Sequence, residues 1–165
     1  MWPDRFPVYV LVLLTLFVAI LLDVYPLALE YRIFRPQFVL LVTIYWIYIL
    51  PQSSSMALLV VLGVLLDVTV GSPLGQHPLM LTVVGYLCLR SYRRVRHFAR
   101  WQESLWVLLL VACAQLLAYW VQALGGRAMD GFGFLLPAVA SACCWPLLAM
   151  LFDGLRRHYR IARQV

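Results

Sequence analysis

The sequence predicts an all-α membrane protein whose six transmembrane helices form one bundle. Three observations support this fold class. Hydrophobic residues make up 64% of the 165 residues and charged residues only 12%, about half the charged fraction of a soluble domain. Several apolar runs approach the roughly 20 residues that cross a bilayer as a helix. The remaining charges cluster between those runs, and every basic residue is an arginine.

Turn residues and charges divide the chain into six predicted helices. The first run is too long for the apolar region of a signal peptide, so we expect a retained membrane helix. The stretch from Pro36 to Leu89 is broken at Pro51 and the serines after it, and again at Gly71–Pro78. Three runs of about 15 residues remain there, each about 22 Å long as a helix, so thinning of the bilayer or burial in protein is needed. The predicted helices are 7–29, 36–50, 56–70, 78–92, 104–124 and 134–152.

The arginines predict the orientation of the bundle. With six crossings, Arg5, the five arginines of 90–100 and the four of 156–163 lie on one side, ten in all. Three lie on the other side: Arg32, Arg35 and Arg127. Arginine-rich loops remain in the cytoplasm, so both termini are predicted to be cytoplasmic. A bundle of four membrane-spanning helices with one re-entrant hairpin also has an even number of crossings, which leaves both termini on the same side. This topology is the alternative.

Asp67 is the only formally charged residue between Arg35 and Arg90. In the last turn of the third helix, a carboxylate opposes the helix macrodipole and loses hydration. Two kinds of partner are open: the guanidinium of Arg35 or Arg32, and the free amides of the Gly71–Gly75 turn. Either partner makes Asp67 a structural pin between helices, and a ligand or proton site is the alternative.

Prolines and aromatic residues give three further predictions. Gly71 and Gly75 are expected to form a turn, because Pro73 between them breaks a continuous helical face. Pro146, which follows Trp145, frees a backbone carbonyl and is expected to bend the last helix. Aromatic residues near the predicted helix ends fit a belt at the membrane surface: Tyr45, Trp46, Tyr48, Trp101, Trp106, Tyr119 and Trp120.

The sequence contains no pattern typical of a catalytic or metal site. The three histidines are scattered, and the four cysteines lie in apolar segments without metal-ligand spacing. The arginines lie between apolar runs and favour membrane lipid over nucleic acid as the counter-charge. Polar residues within the predicted membrane helices are sparse, which disfavours a carrier site: Asp23, Asp67, Gln115 and Gln122. Asp23 is interpreted as an interfacial acid or as a member of the Asp67 cluster. A binding protein without cofactor or metal is expected.

Several motifs, in order along nearly the whole chain, resemble the MreD family of bacterial rod shape-determining membrane proteins. They are Phe34-Arg35-Pro36 with Tyr45-Trp46 and Pro51, the D-x3-G-x3-G spacing in Leu66–Gly75, Arg100-Trp101-Gln102, and Trp145-Pro146. The resemblance makes seven residues structural or partner-binding candidates: Arg35, Pro36, Asp67, Gly71, Gly75, Trp145 and Pro146.

The resemblance implies a non-enzymatic scaffold of the cell-elongation complex, a multi-pass protein of the bacterial inner membrane that supports peptidoglycan synthesis. It implies direct binding to MreC, a single-pass protein with a large periplasmic domain. MreB, RodA and a class B penicillin-binding protein are implied in the same complex. The implied fold is similar to the substrate-binding subunits of energy-coupling-factor transporters, which keeps a vitamin-like carrier open as the alternative function. A membrane-embedded lipid enzyme is a third hypothesis, and it lacks paired acids.

Overall fold

The computed structural model describes residues 6–25, 35–52, 55–126 and 135–158, and all regular secondary structure within these ranges is helical. The helices in chain order are α1 (Phe6–Val24), α2 (Phe38–Ile49), α3 (Met56–Val70), α4 (Gln76–Val95), α5 (Arg100–Leu124) and α6 (Leu136–His158). The predicted all-α class and the order of six helices are confirmed in the described residues.

The helix ends differ from the predicted ones where apolar sequence gives way to arginine. α4 continues to Val95, α5 already begins at Arg100, and α6 continues to His158. Arginine is a good helix former, so a helix passes beyond its apolar stretch until a turn residue stops it. α1 ends at Val24, shortly before Pro26, because the residue before a proline is steered away from helical backbone angles. The rest of the predicted first helix lies outside the described residues.

Two of the helices in the described ranges are long and apolar enough to cross a membrane by length and composition, Arg100–Leu124 and Leu136–Arg157. Three shorter apolar helices accompany them: Val8–Val24, Phe38–Ile49 and Met56–Val70. The 12 residues of α2 extend only about 18 Å, well short of a hydrocarbon core of about 30 Å. Six full crossings therefore remain a prediction.

α2 is the central helix of the bundle. Every residue from Val39 to Leu50 is at most 6% exposed, and α1, α4 and α6 pack around this helix. The aromatic belt prediction is wrong for Tyr45, Trp46 and Tyr48, because these side chains are buried with the rest of α2. Trp101 and Trp120, on α5, are exposed near its two ends, as a belt requires.

Three aromatic side chains of α2 each hydrogen-bond to a different neighbouring helix. The Tyr45 hydroxyl donates to Asp153 of α6 at 2.9 Å. The Trp46 indole donates to the Thr15 hydroxyl of α1 at 2.9 Å. The Tyr48 hydroxyl accepts from the Trp106 indole of α5 at 2.9 Å. The central helix is thereby fixed in rotation as well as in position.

Two glycines let α3 and α4 pack closely. A Cβ atom on Gly63 would lie 2.4 Å from the backbone nitrogen and Cα of Pro78, and one on Gly85 would lie 2.2 Å from a Leu59 methyl group. No carbon can approach backbone atoms at 2.4 Å. The α3–α4 hairpin is therefore held at a spacing that only glycine permits at position 63.

Candidate functional site

The Asp67 carboxylate closes the turn between α3 and α4. It is 1% exposed, and it accepts hydrogen bonds from the Gly75 amide at 2.6 Å and the His77 amide at 3.1 Å. The Ser72 hydroxyl donates to it at 2.8 Å. Of the two partners that the sequence left open, the turn amides are the ones present. No ion pair joins Asp67 to Arg35 within the described residues, and Arg32 lies outside them.

Gly71 and Gly75 form the predicted turn rather than a helical face. Their φ angles are +70° and +100°, in the left-handed region where a Cβ is strained. Gly71 ends α3 and its amide donates to the Asp67 carbonyl at 3.0 Å, while Gly75 immediately precedes α4. The two glycines bend the chain so that its amides point back at the Asp67 side chain.

Asp23 and Arg35 tie α1 to α2 in a reciprocal way. The two carboxylate oxygens of Asp23 accept from the Phe38 amide at 3.2 Å and the Val39 amide at 3.0 Å, at the start of α2. In the other direction, Arg35 donates to the Leu22 carbonyl in the last turn of α1. The Asp23 carboxylate thus contacts the amino end of α2, and the Arg35 guanidinium contacts the carboxyl end of α1. Each charge is favoured by the dipole of the helix end that it contacts.

Asp23 and Asp67 thus play the same role in consecutive helix pairs. Each carboxylate is in the last turn of one helix, where its sign is unfavourable, and each accepts two amides at the start of the next helix, where its sign is favourable. The sequence predicts this role for Asp67 as one of two options and does not predict it for Asp23. An acid at the end of one apolar run, followed by a short connection to the next, is the signal in both cases.

Asp67, Ser72 and His77 lie together but are not arranged for nucleophilic catalysis. His77 Nδ1 lies 2.6 Å from the Asp67 carboxylate and 3.0 Å from the Ser72 hydroxyl. A catalytic relay uses the two different ring nitrogens, one for the acid and one for the nucleophile. Here both groups compete for the same nitrogen, so the arrangement is a structural cluster.

A cavity of about 260 Å³ lies at this end of the bundle, which the arginine pattern predicts to face away from the cytoplasm. We call it the outer cavity. Its polar lining residues are Asp23, Arg35, Gln37, His77 and Gln115, and its apolar ones include Leu40, Leu66, Met80 and Leu81. All six helices or their connections supply lining residues. Polar residues are sparse in the predicted membrane helices, but two of them converge here, because packing of α1 and α5 brings Asp23 and Gln115 to one cavity.

The other candidate residues lie beside the outer cavity or away from it. Pro36 belongs to its lining, whereas Asp67 with its two glycines touches it only through His77. Trp145 and Pro146 are in α6, which continues through the proline as one helix. Trp145 is 3% exposed, and its indole nitrogen has no hydrogen-bond partner in the described part of the chain.

At the opposite end of the bundle, Asp153 joins three helices. Its carboxylate accepts from the Tyr45 hydroxyl of α2 at 2.9 Å and from Arg100 of α5 at 2.6 Å. Arg156, one turn further along α6, lies 3.8 Å away. The sequence does not predict this cluster, because Tyr45 and Arg100 lie more than fifty residues from Asp153 along the chain.

A second concavity, the lateral groove, runs along the side of the bundle between α1 and α3. α1 and α3 contact each other only slightly, so the buried face of α2 forms the floor of a groove of about 420 Å³. Its walls include Leu13 and Leu16 of α1 and Leu58 and Val61 of α3. The lining is almost entirely apolar, as expected for a surface that packs against a membrane helix or lipid.

Comparison with known proteins places these features in a family context. The sequence matches the MreD family, described as rod shape-determining protein MreD, over residues 4–154. It is 30% identical over 144 residues to the rod shape-determining protein MreD of Haemophilus influenzae, covering 87% of this chain and 89% of that protein. No solved structure matches the chain. The similarity to energy-coupling-factor subunits therefore stays a prediction.

Proposed function

The chain belongs to the MreD family of rod shape-determining proteins, and on this premise we propose that it is a non-enzymatic scaffold of the inner membrane. Its direct partner is MreC, and the complex also includes MreB, RodA and a class B penicillin-binding protein. Both termini are cytoplasmic in this proposal. The protein acts by holding its partners in the membrane while peptidoglycan is synthesised during elongation.

The lateral groove is the observation that carries this proposal. Val61 and Leu58 are 63% and 61% exposed on its α3 wall, and Leu13 is 67% exposed on its α1 wall. A single-pass partner such as MreC offers one apolar helix, and an apolar groove between two helices accepts such a helix by close packing. We assign the MreC transmembrane helix to this groove.

Co-purification of MreC with the full-length protein from membranes in mild detergent tests the proposal. Val61→Trp fills the groove from an exposed position, so the fold is kept while the recovered MreC falls several-fold. Val139→Trp is the matched control, because Val139 is 49% exposed on α6, away from the groove. Equal recovery of MreC with both variants would show that MreC binds outside the groove. If the unaltered protein does not recover MreC, the scaffold proposal is wrong.

Depletion in a rod-shaped cell supplies the physiological test. Loss of the protein is expected to round the cells and disperse MreC and the elongation synthase, while vitamin uptake stays normal.

The alternative is a vitamin-like carrier subunit, and the outer cavity with its five polar side chains is the observation that favours it. A carrier would retain a vitamin stoichiometrically on purification, and its depletion would be corrected by a vitamin supplement. Either result would replace the scaffold proposal.

A further inference from the structure

The outer cavity contains polar groups that the fold leaves unused. Gln115 is only 9% exposed, and its side-chain amide has no hydrogen-bond partner among the described residues. The Arg35 Nε atom is buried and has no hydrogen-bond partner within the described ranges; the guanidinium donates to the Leu22 carbonyl through Nη2. A buried guanidinium N–H without a hydrogen-bond partner is unfavourable, and the Gln115 side chain lines the same cavity. A buried guanidinium N–H without a partner and an amide without a partner, both in the lining of one cavity, point to a ligand that binds them.

Two opposite charges lie in the lining without neutralising each other directly. No ion pair joins Asp23 and Arg35 within the described part of the chain, although both line the cavity. Each Asp23 oxygen accepts one backbone amide, and an ionised carboxylate can accept about four hydrogen bonds in all. Asp23 can therefore still accept from a cation, while the free Arg35 Nε atom requires an acceptor.

A ligand of one sign fits this cavity poorly. A lone anion would pair with Arg35 but face the Asp23 carboxylate, and a lone cation would meet the reverse arrangement. Either would leave an uncompensated charge next to apolar side chains such as Leu40 and Met80, which is costly. A ligand that carries both signs matches both residues, and the Gln115 amide can donate to its anion or accept from its cation.

We infer that the outer cavity binds a small zwitterion, an ammonium and an oxyanion joined by a short linker, as in a phosphoethanolamine group. The volume of about 260 Å³ lies just below the range of about 300–1,000 Å³ for sites that hold drug-sized ligands. The cavity lies at one end of the bundle, with Asp23 in the last turn of α1 and His77 in the first turn of α4. The group is thus within reach as a lipid headgroup as well as a free molecule. This inference does not depend on the MreC site, which lies on another face.

Native mass spectrometry of the full-length protein, reconstituted with defined lipids, tests the inference. The unaltered protein is expected to retain phosphatidylethanolamine about tenfold better than phosphatidylglycerol, whose headgroup has the anion but no ammonium. Gln115→Leu removes the unpaired amide and should lower that retention about tenfold, equivalent to about 1.4 kcal/mol. Gln122→Leu is the matched control on the same helix, because Gln122 does not line the cavity and pairs with Gln76 instead.

Folding is checked separately by thermal unfolding, where replacement of the unpaired Gln115 amide by leucine, at a position only 9% exposed, should be neutral or stabilising. Gln115→Met serves as a second variant if Gln115→Leu does not fold. Displacement of the lipid by free phosphoethanolamine would assign a soluble ligand, and resistance to it would assign the lipid headgroup; both support the zwitterion. Equal retention of phosphatidylglycerol, or full retention of phosphatidylethanolamine by the folded Gln115 variants, overturns the inference.

Discussion

The Asp67 carboxylate lies 2.6 Å from the Gly75 amide nitrogen, eight residues further along the chain. This contact connects the last turn of α3 to the residue that immediately precedes α4 and fixes the angle between the two helices. It also explains why an acid lies within an apolar stretch. The negative charge of Asp67 interacts unfavourably with the dipole at the carboxyl end of α3 and favourably with the dipole at the amino end of α4.

Replacing Asp67 by alanine is expected to destabilise the protein strongly. The Gly75 and His77 amides would lose their acceptor, and a hydrogen bond to a charged group contributes about 1.5–3 kcal/mol. Thermal unfolding in detergent measures the loss. Asp67→Asn keeps one acceptor oxygen and should lose less.

A charge swap between Asp67 and Arg35 provides a control for the partner. The two residues share no ion pair in the described structure, so Asp67→Arg combined with Arg35→Asp should be no more stable than Asp67→Arg alone. Recovery of stability by the swap would show that the carboxylate pairs with Arg35 after all.

Gly63 and Gly154 offer a matched pair of helical glycines. Gly63→Ala should lower the unfolding temperature, because the new methyl group would collide with the Pro78 backbone at 2.4 Å. Gly154→Ala meets nothing within 4 Å and should stabilise α6 by up to about 1 kcal/mol through helix propensity. Unfolding of both variants under the same conditions compares them. An unfolding temperature for Gly63→Ala at or above that of Gly154→Ala would contradict the close packing of α3 against α4.

Tyr45→Phe should weaken the attachment of α2 to α6. The variant loses a hydrogen bond to the charged Asp153 side chain, a type of bond that contributes about 1.5–3 kcal/mol. Tyr86→Phe is the control, since Tyr86 is 56% exposed and should change stability little. If Tyr45→Phe unfolds at the same temperature as the control, the hydroxyl does not hold α2 in place.

Membrane topology is predicted by the uneven distribution of arginine. Reporter fusions after Ser54, His97 and Val165 should give a cytoplasmic signal. Fusions after Arg32, Gln76 and Gly126 should give a signal from the other side. A C-terminal fusion that reports outside the cytoplasm is incompatible with both the six-helix and the re-entrant topologies.

The sequence predicted the helical class, the six helices in order and the turn at Gly71–Gly75, since these depend on local patterns of apolar, turn and charged residues. It did not predict that α2 is central. α2 and α3 are apolar on every face, so periodicity cannot tell a buried helix from one that faces lipid. The belt prediction for Tyr45 failed for this reason. The polar lining of the outer cavity escaped prediction because Asp23 and Gln115 are brought together only by packing.

The burial of α2 has a consequence for synthesis. The first amides of α2 donate to Asp23, which is synthesised before them. The Gln37 amide, in contrast, donates to the Ser141 hydroxyl, and the Tyr45 hydroxyl donates to Asp153. Both partners belong to α6, about a hundred residues later. A polar group without a partner in the bilayer core costs several kcal/mol, so α2 stays incompletely satisfied until the ribosome has delivered almost the whole chain. A nascent chain that stops before α6 should accordingly be recognised and degraded by membrane quality control.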